Sequence, residues 1–205
     1  MKKNKISKNW LNRQKKDLFF KHSKMQGFRS RSAFKLIEMD EKFKFLKTNT
    51  SLLDLGSSPG GWSQVAKKKI ANGKILSIDI NHMEKIKDIK FICGDFKKKE
   101  IYEKIKLYFK SGIDVVLSDM AANTTGNKTL DSFRTGELCL NAMDLSLKIL
   151  DENGVFLSKV FMGSTFVEID EKAKKCFKKV VKYKPKSSKK ESKELYIFCK
   201  GIINV

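Results

Sequence analysis

Little in this sequence could hold a metal. It has two histidines, and its four cysteines at 93, 139, 176 and 199 form no C-x-x-C pair, so no metal centre is expected. The cysteines read as reduced thiols, with Cys93 and Cys199 in apolar, strand-like runs where a thiol behaves as a small hydrophobe. No uninterrupted apolar run approaches the roughly 20 residues that cross a bilayer. The first sixteen residues carry no acid and are rich in lysine, but they lack the apolar stretch of a secretory signal. Together these absences predict a soluble protein of a reducing compartment, cytoplasm or organelle matrix, neither secreted nor membrane-bound. Proline is nearly missing too, with only Pro59 and Pro185.

What is abundant is positive charge. The formal net charge is +21, which draws phosphates and neutralises a polyanion. Residues 1 to 50 hold 15 Lys/Arg against 4 acids and residues 165 to 205 hold 12 against 5, whereas residues 51 to 164 are nearly balanced at 17 against 14. A free use of lysine on solvated faces explains part of this, but not a balanced centre between basic ends. The ends are therefore expected to grip a nucleic acid while the middle binds something else.

With 205 residues, 40% hydrophobic and 33% charged, the chain fits a single α/β domain: a basic helical extension over 1–45 and a core over 46–205. A basic helix is expected over 8–24, with Trp10, Leu11, Leu18 and Phe19 on its apolar side, and a second over 33–44 capped by Ser32. From residue 51, short apolar runs alternate with amphipathic stretches, the signature of a parallel sheet with crossover helices. Seven strands are predicted at 51–55, 74–79, 89–93, 113–118, 154–160, 177–183 and 194–200, and helices at 62–70, 98–110, 132–150 and 164–175. The polar segment 184–193 is too short for a crossover helix. The last two strands should therefore pair antiparallel at one side of the sheet.

The first strand runs into Asp54-Leu55-Gly56-Ser57-Ser58-Pro59-Gly60-Gly61-Trp62. A glycine-rich turn between a first strand and its helix lets backbone approach a ligand at the strands' carboxyl ends. The spacing differs from the G-x-G-x-x-G of a pyrophosphate site and suits a nucleoside that carries an amino acid, its carboxylate near the helix N-terminus. Asp79 ends the second strand, where an acid can accept from ribose hydroxyls. Asp95 follows the third in Gly94-Asp95-Phe96, placed to accept from an adenine amino group, with Phe96 against the ring. Acids at successive strand ends after such a loop describe an S-adenosylmethionine pocket. The fourth strand ends in Ser118-Asp119-Met120-Ala121-Ala122-Asn123, without the N/D-P-P-Y/F of an amino-group methyltransferase. No Pro-Cys supplies a carbon-methylating nucleophile. Lys35, Lys159 and Glu194 sit on apolar-rich segments where charge is unwelcome unless paired.

The segments GFRSRSAFKL (27–36), LDLGSSPGGWSQVA (53–66), GDF (94–96), SDMAAN (118–123), SKVFMG (158–163) and KPKSSKKESKELYIFCKG (184–201) together resemble the FtsJ/RrmJ family of heat-shock ribosomal RNA 2′-O-methyltransferases. The resemblance spans about Trp10 to Gly201. It implies a Rossmann-like S-adenosylmethionine-dependent methyltransferase fold with a mostly parallel sheet, the last strand antiparallel, and helices on both faces. It also implies a tetrad of Lys35, Asp119, Lys159 and Glu194 around the target ribose, with Gly60, Trp62, Asp79, Asp95 and Asp119 at the cofactor site; the position of the glycine loop adds Gly56, Ser57, Pro59 and Gly61 as expected cofactor residues, and that of Phe96 adds its ring. The family's D-M-A-P-N is D-M-A-A-N here, which loosens a loop without removing a reactive group. The expected substrate is a uridine of large-subunit ribosomal RNA, and the expected partner is that RNA or the subunit, bound by a monomer. A transfer-RNA anticodon-loop enzyme and a non-catalytic RNA-binding assembly factor are the alternatives. Lys159 is the expected base. Burial and Lys35 favour its neutral form, and Asp119 and Glu194 its ammonium, leaving an orienting cation as the other reading.

Deleting residues 1–25 should lower RNA affinity and flatten its salt dependence, with cofactor affinity nearly unchanged. Filter binding across a salt series checks this, and an unchanged slope would make the basic arm a solvated face.

Overall fold

The computed structural model describes residues 18–123, 125–189 and 191–203. Most of the helix expected over 8–24, Trp10 and Leu11 included, lies outside them. The described part is α1 (Leu18–Met25). Gly27, at φ +71°, turns the chain after it.

Helix α2 (Ala33–Phe43) follows, but Ser32 does not cap it. Its hydroxyl pairs instead with that of Ser30 at 2.7 Å. Then come β1 (Leu52–Leu55), α3 (Gly61–Lys69), β2 (Ile75–Asp79), β3 (Lys90–Cys93), α4 (Lys99–Phe109), β4 (Ile113–Ser118), α5 (Lys128–Ile149), β5 (Leu150–Phe161), α6 (Phe166–Cys176), β6 (Phe177–Tyr183) and β7 (Glu194–Ile202). Helix α5 starts four residues before its predicted position. Asn127 is the reason, since its side-chain oxygen accepts from the Thr129 and Leu130 amides and so satisfies two otherwise orphaned donors.

The strands form one sheet in the order β3-β2-β1-β4-β5-β7-β6. Neighbours from β3 to β5 are parallel, and β7 runs antiparallel to both β5 and β6. The predicted hairpin is present, with the final strand inserted between β5 and β6 instead of lying at the edge. This is an α/β Rossmann-like fold with two helical layers.

Continuous apolar runs in the strands serve both layers, because successive side chains point to opposite faces. Leu53, Leu55, Leu76, Ile78, Val116, Phe156, Val160, Ile197 and Cys199 pack under α4, α5 and α6. Leu52, Ile75, Val115, Leu117, Val155, Leu157, Tyr196 and Phe198 pack under α2 and α3. Cys93 departs from expectation: on the edge strand β3 it is exposed, while Cys139 and Cys199 are buried. No helix among the described residues is long and apolar enough to cross a membrane.

Segment 27–32 is stitched to α3. The Arg29 amide donates to Gln64 Oε1 at 2.8 Å, Gln64 Nε2 to the Gly27 carbonyl at 3.0 Å, and Trp62 Nε1 to the Ser32 carbonyl at 2.9 Å. These bonds bring Lys35, on the first turn of α2, to the carboxyl end of the sheet.

Candidate active site

Two buried ion pairs stand at that end. Lys159, on β5, donates to the Asp119 carbonyl at 3.0 Å and to Asp119 Oδ1 at 3.1 Å, just past β4. Lys35 Nζ lies 2.5 Å from Glu194 Oε1, where β7 begins. Tyr196 joins the pairs: its hydroxyl donates to Asp119 Oδ1 at 2.8 Å, and its ring lies 5.7 Å from the Lys35 ammonium. The sheet register sets Lys159 beside Tyr196 and Phe161 beside Glu194. All four residues of the expected tetrad are thus brought together.

Burial pushes the Asp119 carboxyl up. The charges of Lys159 and Lys35 and the bonds from Tyr196 and Lys159 outweigh it and hold Asp119 below the usual carboxylate range. Asp119 is therefore an anion at neutral pH. The Tyr196 phenol is pushed well above its ordinary value by burial and by the nearby Asp119 and Glu194 carboxylates, so it serves as a fixed donor. Sequence reasoning missed Tyr196. Its signal was its place two residues after Glu194, on the same face of a strand.

Beside the tetrad lies a cavity of about 300 Å³ whose lining includes Gly56, Asp79, Asp95, Phe96 and Asp119. The Asp79 carboxylate is aimed by the Ser58 amide at 2.9 Å and the Asn81 amide at 2.7 Å. Asp95 is set by the Lys97 amide at 3.0 Å. Phe96 is largely buried, whereas Ile80 at the cavity is 69% exposed. Gly56 has φ +73° and a Cβ there would collide with Met120, so only glycine fits. Ser58, Asn81 and Met120 also line this cavity and were not singled out from the sequence.

The rest of the glycine loop builds the wall behind. Gly60, at φ +112°, precedes α3 and a Cβ there would crowd Arg29, Met83 and Ile86. Gly61 has no room for a side chain against Ser30. The Pro59 carbonyl accepts from Arg29 at 3.3 Å. Ser57 is buried, and its hydroxyl has no hydrogen-bond partner among the described residues. Trp62 is 2% exposed and packs on Tyr196 with centroids 5.8 Å apart, so its side chain belongs to the core and not to this cavity's lining.

The FtsJ-like methyltransferase profile matches residues 28–202. The chain belongs to the FtsJ-like methyltransferase family. Ribosomal RNA large subunit methyltransferase E of Pelagibacter ubique is 54% identical over 200 residues, covering 98% of each chain. The protein of that name from Rickettsia africae is 43% identical over 197 residues, 93% of this chain and 87% of its own. Among solved structures, a Plasmodium falciparum protein provisionally assigned as a ribosomal RNA methyltransferase superposes with a TM-score of 0.78. It is 34% identical, over 87% of this chain and all of that one.

This family member also carries a buried acid beneath the glycine loop. Asp54 Oδ2 accepts from the Ser63 hydroxyl at 2.6 Å, and its Oδ1 has no partner among the described residues. Burial raises the Asp54 carboxyl to about 7; the Ser63 hydroxyl opposes this, and the Asp119 and Asp79 charges add to it. Unfolded, the group loses its proton near 3.8. As pH rises through that interval the unfolded chain sheds a proton that the folded chain keeps. Stability should therefore fall across the interval and level off above it. Asp54→Asn removes that slope. Urea unfolding between pH 4 and pH 8 should show the variant gaining on wild type by up to about 4 kcal/mol.

Proposed function

We propose that this chain transfers a methyl group from S-adenosylmethionine to a ribose 2′-hydroxyl, on a uridine of large-subunit ribosomal RNA. The observation that carries the reading is the convergence of two lysine–carboxylate pairs beside an acid-lined cavity at the carboxyl ends of the strands. The names of the related large-subunit methyltransferases support ribosomal RNA as the substrate.

The cavity's charge fits the cofactor. Among the described residues its lining holds three aspartates and one lysine in a chain of net charge +21, a negative site suited to a sulfonium and an ammonium group. Asp79 is the acceptor for ribose hydroxyls, with Asp95 accepting from the adenine amino group. Bound there, S-adenosylmethionine supplies an electrophilic methyl group. The acceptor oxygen must shed its proton as it gains that methyl, and a protonated hydroxyl is a poor nucleophile. From its place against Asp119, Lys159 would take that proton as a base, or as an ammonium would orient the hydroxyl while the proton passes to solvent; Lys35 and Glu194 fix the ribose. Asp119, held as an anion, keeps the Lys159 side chain aimed.

Asp79→Ala should weaken cofactor binding by about 1.5 to 3 kcal/mol, the scale of hydrogen bonds to charged groups. Isothermal titration with S-adenosylmethionine measures it, and unchanged affinity would remove Asp79 from the site.

Lys159→Ala should bind cofactor normally and lose about 100-fold or more in methyl transfer. Lys159→Arg keeps the charge but cannot take a proton near neutral pH. An arginine variant close to wild type would leave orientation, not proton removal, as the lysine's task. Mapping ribose methylation in ribosomal and transfer RNA from cells with and without the protein tests substrate and position together.

A further inference from the structure

A second cavity, of about 460 Å³, opens on the far side of Glu194 between the start of α5, the end of β5 and the segment before β7. It lies within the usual size of a ligand site. Its wall is continuous with the tetrad. Phe161, on that wall, pairs with Glu194 in the sheet, the Met162 amide donates to the Lys193 carbonyl at 3.2 Å, and the Glu194 amide donates to Ser192 Oγ at 3.2 Å.

Three features describe what would fit there. Met162 is 48% exposed, so with Phe161 it presents an apolar surface. Among the described residues the charges of the lining cancel, Lys128 and Lys193 against Asp131 and Glu191, which disfavours a phosphate and suits a neutral, partly polar group. Ser132, 7% exposed, carries a hydroxyl with no hydrogen-bond partner among the described residues. That hydroxyl sits against Gly163, where a Cβ would collide with it. A buried hydroxyl left unpaired is costly, and a ligand group that bonds to it would recover that cost.

We propose that this cavity seats an unpaired nucleobase of the RNA strand that carries the target ribose. The inference rests on the ribose-methylation reading for its strand, and adds to it a base-binding site outside the tetrad and the cofactor cavity. An apolar floor with one fixed hydroxyl is what a planar base with polar edges uses, and stacking of this kind is a main source of affinity for single strands. The site would give the enzyme a preference for sequence or for unpaired structure that phosphate contacts by lysine cannot supply.

The test uses the full chain and the tightest-binding of a tiled set of single-stranded large-subunit rRNA oligonucleotides, with each base removed in turn. One abasic position should cost wild type about tenfold in affinity and cost Met162→Ser nothing further. Met162→Ser itself should bind the intact oligonucleotide about tenfold more weakly, with S-adenosylmethionine affinity unchanged. Equal losses in both proteins at every position, or full affinity in the variant, would overturn the proposal. Ser132→Ala guards against a variant that fails to fold. It should keep the wild-type Tm and relax base preference at that same position, and an unaltered preference would count against the seat. Ribose methylation is scored in parallel on the same RNA. Its absence in wild type would tell against the 2′-hydroxyl reading while leaving the binding comparison readable.

Discussion

A lysine ammonium at the carboxyl end of a buried strand can stay there only while a carboxylate faces it. The side chains of Lys159 and Lys35 are each 10% exposed, and those of Asp119 and Glu194 are 16% and 13% exposed. Removing one partner of such a pair leaves a buried charge alone and costs about 3 to 5 kcal/mol. Asp119 therefore ties the tips of β4, β5 and β7 through Lys159 and Tyr196. The same contacts that gather the four charged side chains keep the strand ends in register.

The fourth member of the tetrad comes from outside the sheet. Lys35 reaches the site because segment 27–32 is hydrogen-bonded to the helix after the glycine loop, and Arg29 extends this seam by donating to the Glu84 and Lys85 carbonyls. One turn further along α2, Glu38 accepts from the Tyr183 hydroxyl, the Lys186 and Ser187 amides and the Ser187 hydroxyl. Burial pushes the Glu38 carboxyl up, but these bonds hold it below its ordinary value. A single helix thus positions a tetrad lysine on one turn and anchors the lysine-rich connection into β7 on the next.

Charge is divided over the molecule according to what each part must hold. The basic termini suit a polyanion, the cavity of Asp79, Asp95 and Asp119 suits a cation, and the described lining of the second cavity beside Glu194 is balanced. A uniform excess of lysine would raise affinity for RNA everywhere and for no position in particular. Three aspartates at the strand ends make that cavity locally negative in a chain of net charge +21, which disfavours phosphates there and suits a cationic group.

The seven strands were legible because apolar runs bounded by turns are local signals, and the acids at successive strand ends followed from strand position alone. The tetrad was legible as a set of residues through family resemblance, with no account of which lysine faces which acid. Other features depended on contacts between residues far apart in the chain. The insertion of β7 between β5 and β6 decides that Glu194 and Tyr196 stand beside Phe161 and Lys159, and no periodicity encodes that order. Trp62 shares a loop with Gly56, yet one packs into the core and the other lines a cavity. Cys93 lies in an apolar run, yet the edge place of its strand exposes it. Residue type and spacing determine which elements form. Which side chains meet is decided by strand order, register and the packing of helices on the two faces, because those alone bring distant residues within the few ångströms over which charges and hydrogen bonds act.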